Sequence, residues 1–212
     1  MHTQAVNSIK QPDKHTIEIV QAMSVKEEHF PIKLKDSIIL HSYTGADASI
    51  IFHTVNENQE HLQRWFPWVK ATQKIEDSLE FLTTIVEDEQ QKGTGIHLGI
   101  FDISIEEEKL LGAVAIQNIN LSNHSGEVGC WLTQESQGKG LATMACLKII
   151  DYGKIVLGIQ RFELHTAVDN HHTQALAEHI GFQRLPGVIK SAEVIDSKSV
   201  DHVVYILNDA IV

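Results

Sequence analysis

A chain of 212 residues, 42% apolar and 21% charged with only 4 prolines, is long enough to bury one sizeable core, and this composition excludes a mostly disordered or fibrous protein. Seventeen basic against 28 acidic residues leave a formal charge of −11, which disfavours sequence-independent nucleic-acid binding and attracts cationic or amine-bearing partners. The opening MHTQAVNSIKQPDKH has no apolar h-region and no apolar run approaches the roughly 18 residues of a membrane span; with no CxxC spacing between Cys130 and Cys146, these features predict a soluble, unexported, cytoplasmic protein with reduced thiols.

Residues 1–30 lack sustained periodicity and read as an N-terminal extension, which leaves 31–212 as a single domain. Ile38, Ile39 and Leu40 suggest a first strand, and Ala48, Ile51, Phe52 and Val55 fall at the offsets of an amphipathic helix. Asn56 is placed to cap a second short helix ending near Trp65, before Pro67 interrupts RWFPWV. Ile75, Leu79, Leu82 and Val86 form one face of a helix that stops before Lys92-Gly93-Thr94-Gly95. Three strands over 96–100, 109–118 and 127–132, separated by polar turns, predict an antiparallel meander. After the turn that follows, Leu141, Met144, Ala145, Ile149, Tyr152 and Val156 share one arc of a long helix. Phe162, Leu164 and Thr166 alternate as a half-buried strand, Asp169-Asn170 opens a helix that Gly181 ends, and 182–195 and 202–207 supply closing strands.

The turn in WLTQESQGKGLAT carries two glycines between a strand and a helix. Such a turn aims several backbone N–H groups at one point, where the helix N-terminus adds about half a positive charge, so it suits an anion such as phosphate. A tight turn without a ligand fits the two glycines equally well. A P-loop needs a hydroxyl residue after its lysine, and here Gly140 follows Lys139. A dinucleotide fingerprint needs a third glycine, and here Thr143 stands in its place.

QGKGLA resembles the Q/R-x-x-G-x-G/A acyl-CoA signature of the GNAT N-acetyltransferase superfamily. GEVGCWL before it is similar to that family's AEIGYWL strand, and VDNHHTQALAEHIGF after it resembles the V-x-N-x-x-S…GF stretch of the ribosomal-protein N-terminal acetyltransferase branch. LQRWFPWV likewise resembles that branch's early Trp-Pro segment. The resemblance implies an α/β fold whose mixed, mostly antiparallel central sheet is splayed at an acetyl-CoA site and flanked by helices. It also implies an N-acetyltransferase in which an acceptor amine attacks the thioester directly. The amine would belong to a protein N-terminus or a small molecule; a regulatory module that binds acyl-CoA without turnover is the alternative.

Carried over by position, the resemblance implies that the backbone N–H groups of Gln137, Gly138, Lys139, Gly140, Leu141, Ala142 and Thr143 hold the pyrophosphate. The backbone of Cys130, Trp131 and Leu132 would pair with pantetheine, and Asn170 would contact it. Cys130 itself reads as a buried structural thiol. Thr173 would protonate or hydrogen-bond the departing thiolate, and Glu193 in IKSAEVID matches a glutamate that acts as general base in some N-terminal acetyltransferases. A carboxylate near pKa 4.3 is a weak base unless burial or a relay water assists it. No metal is expected, because adjacent His171 and His172 diverge at a helix start. In Trp65-Phe66-Pro67-Trp68 one tryptophan is expected in the core and the other on the wall of the acceptor cleft. A homodimer is left open.

Overall fold

The computed structural model describes residues 29–104, 108–195 and 197–208; the extension expected over 1–30 lies almost wholly outside them. Its elements in chain order begin with strands β1 (Ile32–Lys35) and β2 (Ile38–Ser42), then helices α1 (Ala48–Glu57), α2 (Gln59–Leu62), α3 (Trp68–Ala71) and α4 (Ile75–Glu80). A π-helical turn over Phe81–Val86 carries the last of these into α5 (Glu87–Lys92), ended by Gly93 in the left-handed conformation. The meander follows as β3 (Ile96–Asp102), β4 (Lys109–Asn120) and β5 (Ser125–Leu132). Then come α6 (Leu141–Leu157), β6 (Arg161–Ala167), α7 (His171–His179), β7 (Gln183–Arg184), β8 (Ile189–Ile195) and β9 (Lys198–Asn208).

These strands form one sheet in the order β1-β2-β3-β4-β5-β6-β9-β7, with β8 also pairing β9. Every pairing is antiparallel except that of β5 with β6. Period-two alternation sends Leu98, Ile100, Val114, Ile116 and Val128 to the face covered by α6, where Ile149 and Phe162 are fully buried. Phe101 and Leu110 point the other way, into a second cluster with Ile51, Val55, Leu62, Val69 and Leu82 from α1, α2, α3 and the π turn. Burying a side chain the size of Ile149 stabilises by about 1.5–3 kcal/mol, so the α6 face is the main apolar layer.

The structure departs from the sequence expectations where the apolar signal is short or missing. Strand β1 was not expected, because IKLK offers only two half-buried apolar positions on the sheet edge. The residue at the second helix's start is Asn58 and not Asn56. The helix from Ile75 ends where the sequence places it, at the Gly93 breaker, and the departure is its π-helical turn over Phe81–Val86. The expected strand over 182–195 is split into β7 and β8 at Pro186-Gly187, where proline has no N–H for the ladder and Gly187 takes φ 98°. In the Trp-Pro segment Leu62 and Val69 occupy the core, with Phe66 packed against it, while Trp65 is only partly buried and Trp68 is 40% exposed.

Candidate active site

Strands β5 and β6 pair only over Ser125–Glu127 against Arg161–Glu163. Beyond Glu127, β5 continues to Leu132 held by β4 alone, and β6 continues to Ala167 held by β9 alone. The two therefore diverge into a splay. Thr133 N–H donates to Leu111 O at 2.8 Å, and the Trp131 carbonyl faces Gly112 on β4. The Glu127–Glu163 pairing engages the Val128 N–H, and alternation then directs the Val128 C=O and the N–H and C=O groups of Cys130 and Leu132 into the gap, where no strand meets them. An extended amide chain fits such an edge as a further strand would.

At the mouth of the gap a 3-10 turn (Gln134–Ser136) leads into the glycine turn, with Thr133 Oγ1 donating to Ser136 Oγ at 2.7 Å in a buried position. Gly138 and Gly140 take φ 71° and 74°, and a Cβ at either would meet nothing within 4 Å, so the concave side is open. Helix α6 starts from Gly140 with no side-chain cap, and its first intrahelical bond is Met144 N–H to Gly140 O at 3.0 Å. Among the described residues the N–H groups from Gly138 to Thr143 have no protein acceptor. Gln137 differs: its N–H donates to Gln134 O at 3.4 Å, so the free donors begin one residue later than the sequence expectation. Lys139 stands exposed on the same turn.

The turn is clamped from α1 and α2 by two residues that the sequence reading did not single out. Asn58 Oδ1 accepts from Gln134 N–H at 2.9 Å, and His61 Nε2 lies 2.7 Å from the Gln137 amide nitrogen. His61 also hydrogen-bonds the Leu132 carbonyl on the open β5 edge; burial first and Arg64 second hold its pKa below the usual imidazole value. Neither residue has a spacing signal, since both contacts span 76 positions.

Cys130 and Cys146 are hydrogen-bonded between β5 and α6, and that bond together with burial pushes the Cys130 thiol well above its ordinary pKa. It is a packed thiol, not a thiolate. Trp131 turns to the opposite face, packs against the second cluster, and has its ring centroid 6.3 Å from that of Trp68. The two indoles line the splay on the α3 side.

Across the gap, β6 passes into α7, whose N-cap Asn170 accepts from Thr173 N–H at 3.2 Å. The cap occupies Asn170 Oδ1, and among the described residues its amide hydrogens meet no acceptor. The Thr173 hydroxyl, half-buried in the first turn, has no hydrogen-bond partner among the described residues, so it is not committed to local backbone. His171 and His172 are exposed. Among the described residues no cluster of three or more His, Cys, Asp or Glu offers a metal site.

Behind β6, Val203 and Tyr205 of β9 are fully buried toward the main core, which puts His202 and Val204 on the other face. His202 is paired with Ala167 at the end of β6 and with Ile189 on β8. Glu193 lies opposite Val200, and its Oε2 is 3.5 Å from His202 Nε2. Burial raises the Glu193 pKa above the ordinary carboxylate value, against the opposing effect of His202. On the same face of β6, Glu163 accepts from His165 at 3.0 Å and pairs with Arg161 at 3.0 Å; chiefly through His165, its pKa is lowered. The site therefore brings the β5 edge, the glycine turn, Asn170 and Thr173 around one gap, with Glu193 set back behind them.

Comparison with known proteins matches the Acetyltransferase (GNAT) domain family to residues 37–183. The chain is 27% identical over 165 residues to the ribosomal-protein-serine acetyltransferase of Escherichia coli (strain K12), covering 78% of this chain and 89% of that protein. It is 25% identical over 149 residues to the spermidine N(1)-acetyltransferase of Vibrio cholerae serotype O1, covering 70% and 80% respectively. Among solved structures, the microcin C7 self-immunity acetyltransferase MccE in complex with acetyl-CoA and AMP superposes with a TM-score of 0.74 at 29% identity, over 84% of this chain and 96% of that one.

Proposed function

Since this chain belongs to the GNAT acetyltransferase family, an N-acetyltransferase with acetyl-CoA as co-substrate, we propose that its acceptor is the α-amino group of a protein, of the kind a ribosomal protein presents. The observation that carries the cofactor part of this reading is the β5–β6 splay ending on a turn whose N–H groups from Gly138 to Thr143 meet no acceptor among the described residues. The pyrophosphate of acetyl-CoA suits those donors and the positive end of α6, and its pantetheine amides suit the open edge at the Val128 C=O, Cys130 and the Leu132 N–H. Asn170 contacts the pantetheine through its amide hydrogens. The thioester supplies an activated acetyl group; the chain aligns the amine with it, takes up the amine's proton and returns one to the thiolate.

The amine must be neutral to attack. An α-amino group with a pKa near 8 is roughly one tenth neutral at pH 7, while a lysine side chain is neutral to about 1 part in 2,500, so a modest base suffices for an N-terminus. The Thr173 hydroxyl, with no other partner among the described residues, is the donor to the thiolate. Glu193, with its pKa raised by burial, is the carboxylate of the proton-accepting side. The net charge of −11 favours approach of a cationic N-terminus.

The test is an acceptor panel of N-terminal peptides and small amines, followed by release of free CoA thiol, with acetyl-CoA affinity measured by calorimetry. We expect peptide α-amines to give the highest kcat/KM. Gly140→Asp, which adds a carboxylate and a Cβ at φ 74° facing the phosphate, should weaken acetyl-CoA binding more than tenfold. Unchanged affinity would remove the pyrophosphate assignment, and tight binding with no thiol release across the panel would return the chain to the binding-only reading.

A further inference from the structure

Glu193 does not border the gap. In the sheet order β9 stands between β8 and β6, and Glu193 lies opposite Val200 of β9, two residues past the His202–Ala167 pair at which β6 ends, so β9 separates it from the strand that borders the gap. His202 stands one strand behind the gap, opposite Ala167, where Val168 N–H ties β6 to Asp201 O at 3.0 Å just before Asn170 and Thr173. Its imidazole shares the face of Glu163 and His165 and is 17% exposed. Among the described residues Glu193 is its only side-chain partner, through Nε2. By contrast His165, two residues back from Ala167 on the same face, is committed through Nε2 to Glu163, which is in turn held by Arg161.

We propose that His202 is the residue that accepts the acceptor amine's proton, and that Glu193 is a positioning residue that holds the imidazole with Nδ1 toward the gap. This inference rests on the transferase reading above and assigns its proton path. With Nε2–H directed at the Glu193 carboxylate, the Nδ1 lone pair is left for the amine. As the nitrogen bonds to the acetyl carbon and the C–S bond breaks, the amine proton passes to His202 Nδ1. The thiolate takes a proton from the Thr173 side, the hydroxyl is refilled from solvent, and the imidazolium held by Glu193 then releases its proton to solvent, so one proton is lost and one gained per turnover. The 3.5 Å contact is looser than a formed hydrogen bond and shortens as the imidazole gains charge. The other ionisable groups around the pair are His165, Glu163 and Arg161 on β6, Lys190 held by Asp201 between β8 and β9, and exposed His171 and His172 at the start of α7.

Two measurements test this on the full chain. In the first, kcat and KM against pH are compared for the wild type, His202→Gln, Glu193→Gln and Glu193→Asp with the best peptide acceptor. His202→Gln should lower kcat about 100-fold and abolish the acid limb of the profile while leaving the acetyl-CoA KM within twofold; Glu193→Gln should cost at least tenfold, with Glu193→Asp recovering part. The second, read without substrate, is a ¹³C-carboxyl NMR titration of Glu193, whose midpoint should move upward in His202→Gln because the imidazole favours the ionised carboxylate. A His202→Gln enzyme within threefold of wild-type kcat, or an unmoved Glu193 midpoint, overturns the proposal. If the wild type transfers to no acceptor, the transferase reading fails instead, and the carboxyl titration still judges the pair.

Discussion

His61 shows how one side chain joins two halves of a site. It sits on α2, yet its ring nitrogens meet the Gln137 side chain and the Leu132 carbonyl, so it ties the helical layer to the cofactor edge. Burial lowers its pKa below 6.5, which means that the folded state binds its proton less readily than the unfolded chain. Its contribution to stability is therefore complete above the unfolded value and is lost as pH falls through the folded one. The expected outcome is that calorimetric Tm drops less between pH 6.5 and 5 in His61→Gln than in the wild type; equal drops would disconnect this imidazole from the clamp. Glycines at 138 and 140 were legible as backbone devices because positive φ has a residue-type signature, whereas nothing in the spacing of Asn58, His61 or His202 pointed to their contacts. His202 had the nearest thing to a signal, its alternation with buried Val203 and Tyr205.

Helix α6 is the element that positions the anion site, and its seat on the sheet is set by a single small residue. Gly153 lies mid-helix where a Cβ would come within 2.8 Å of both Ile116 Cδ1 and Phe162 Cε1, in a region where both side chains are fully buried. Alanine there gains up to about 1 kcal/mol of helix propensity but overpacks a dense core at a cost of about 1–3 kcal/mol. Gly153→Ala should accordingly lower the urea midpoint despite its better propensity; a raised midpoint would mean that α6 is free to lift off the sheet. Long periodic helices such as α1 and α6 were readable because each buries one face over several turns. Leu82 and Val86 announced a helix over 81–86 but not its π geometry, while the polar α5 and the four-residue β1 carry no period of their own and emerge from packing and edge pairing.

At the scale of the molecule, charge and topology act together. With 28 acidic against 17 basic residues the long-range field draws a cationic acceptor, and the Debye length of about 10 Å at 0.1 M salt limits its range. Raising the salt from low to several-tenths molar should increase the KM of a cationic peptide acceptor severalfold while changing that of an uncharged amine analogue little; a flat response would confine recognition to short contacts near Trp68 and Trp131. The sequence by itself determined the α/β class, the meander, the strand–glycine turn–helix unit and, through resemblance, the family, because periodicity, positive-φ glycines and short motifs are encoded in neighbouring residues. Only the tertiary structure decided that β5 and β6 part after Glu127, that the Leu132 carbonyl is met by His61, and that β9, with His202 opposite Ala167, stands between Glu193 and β6. Those facts depend on which strands lie side by side, and strand order arises from packing the two apolar clusters on opposite faces of one sheet, a relation that no local stretch of the chain records.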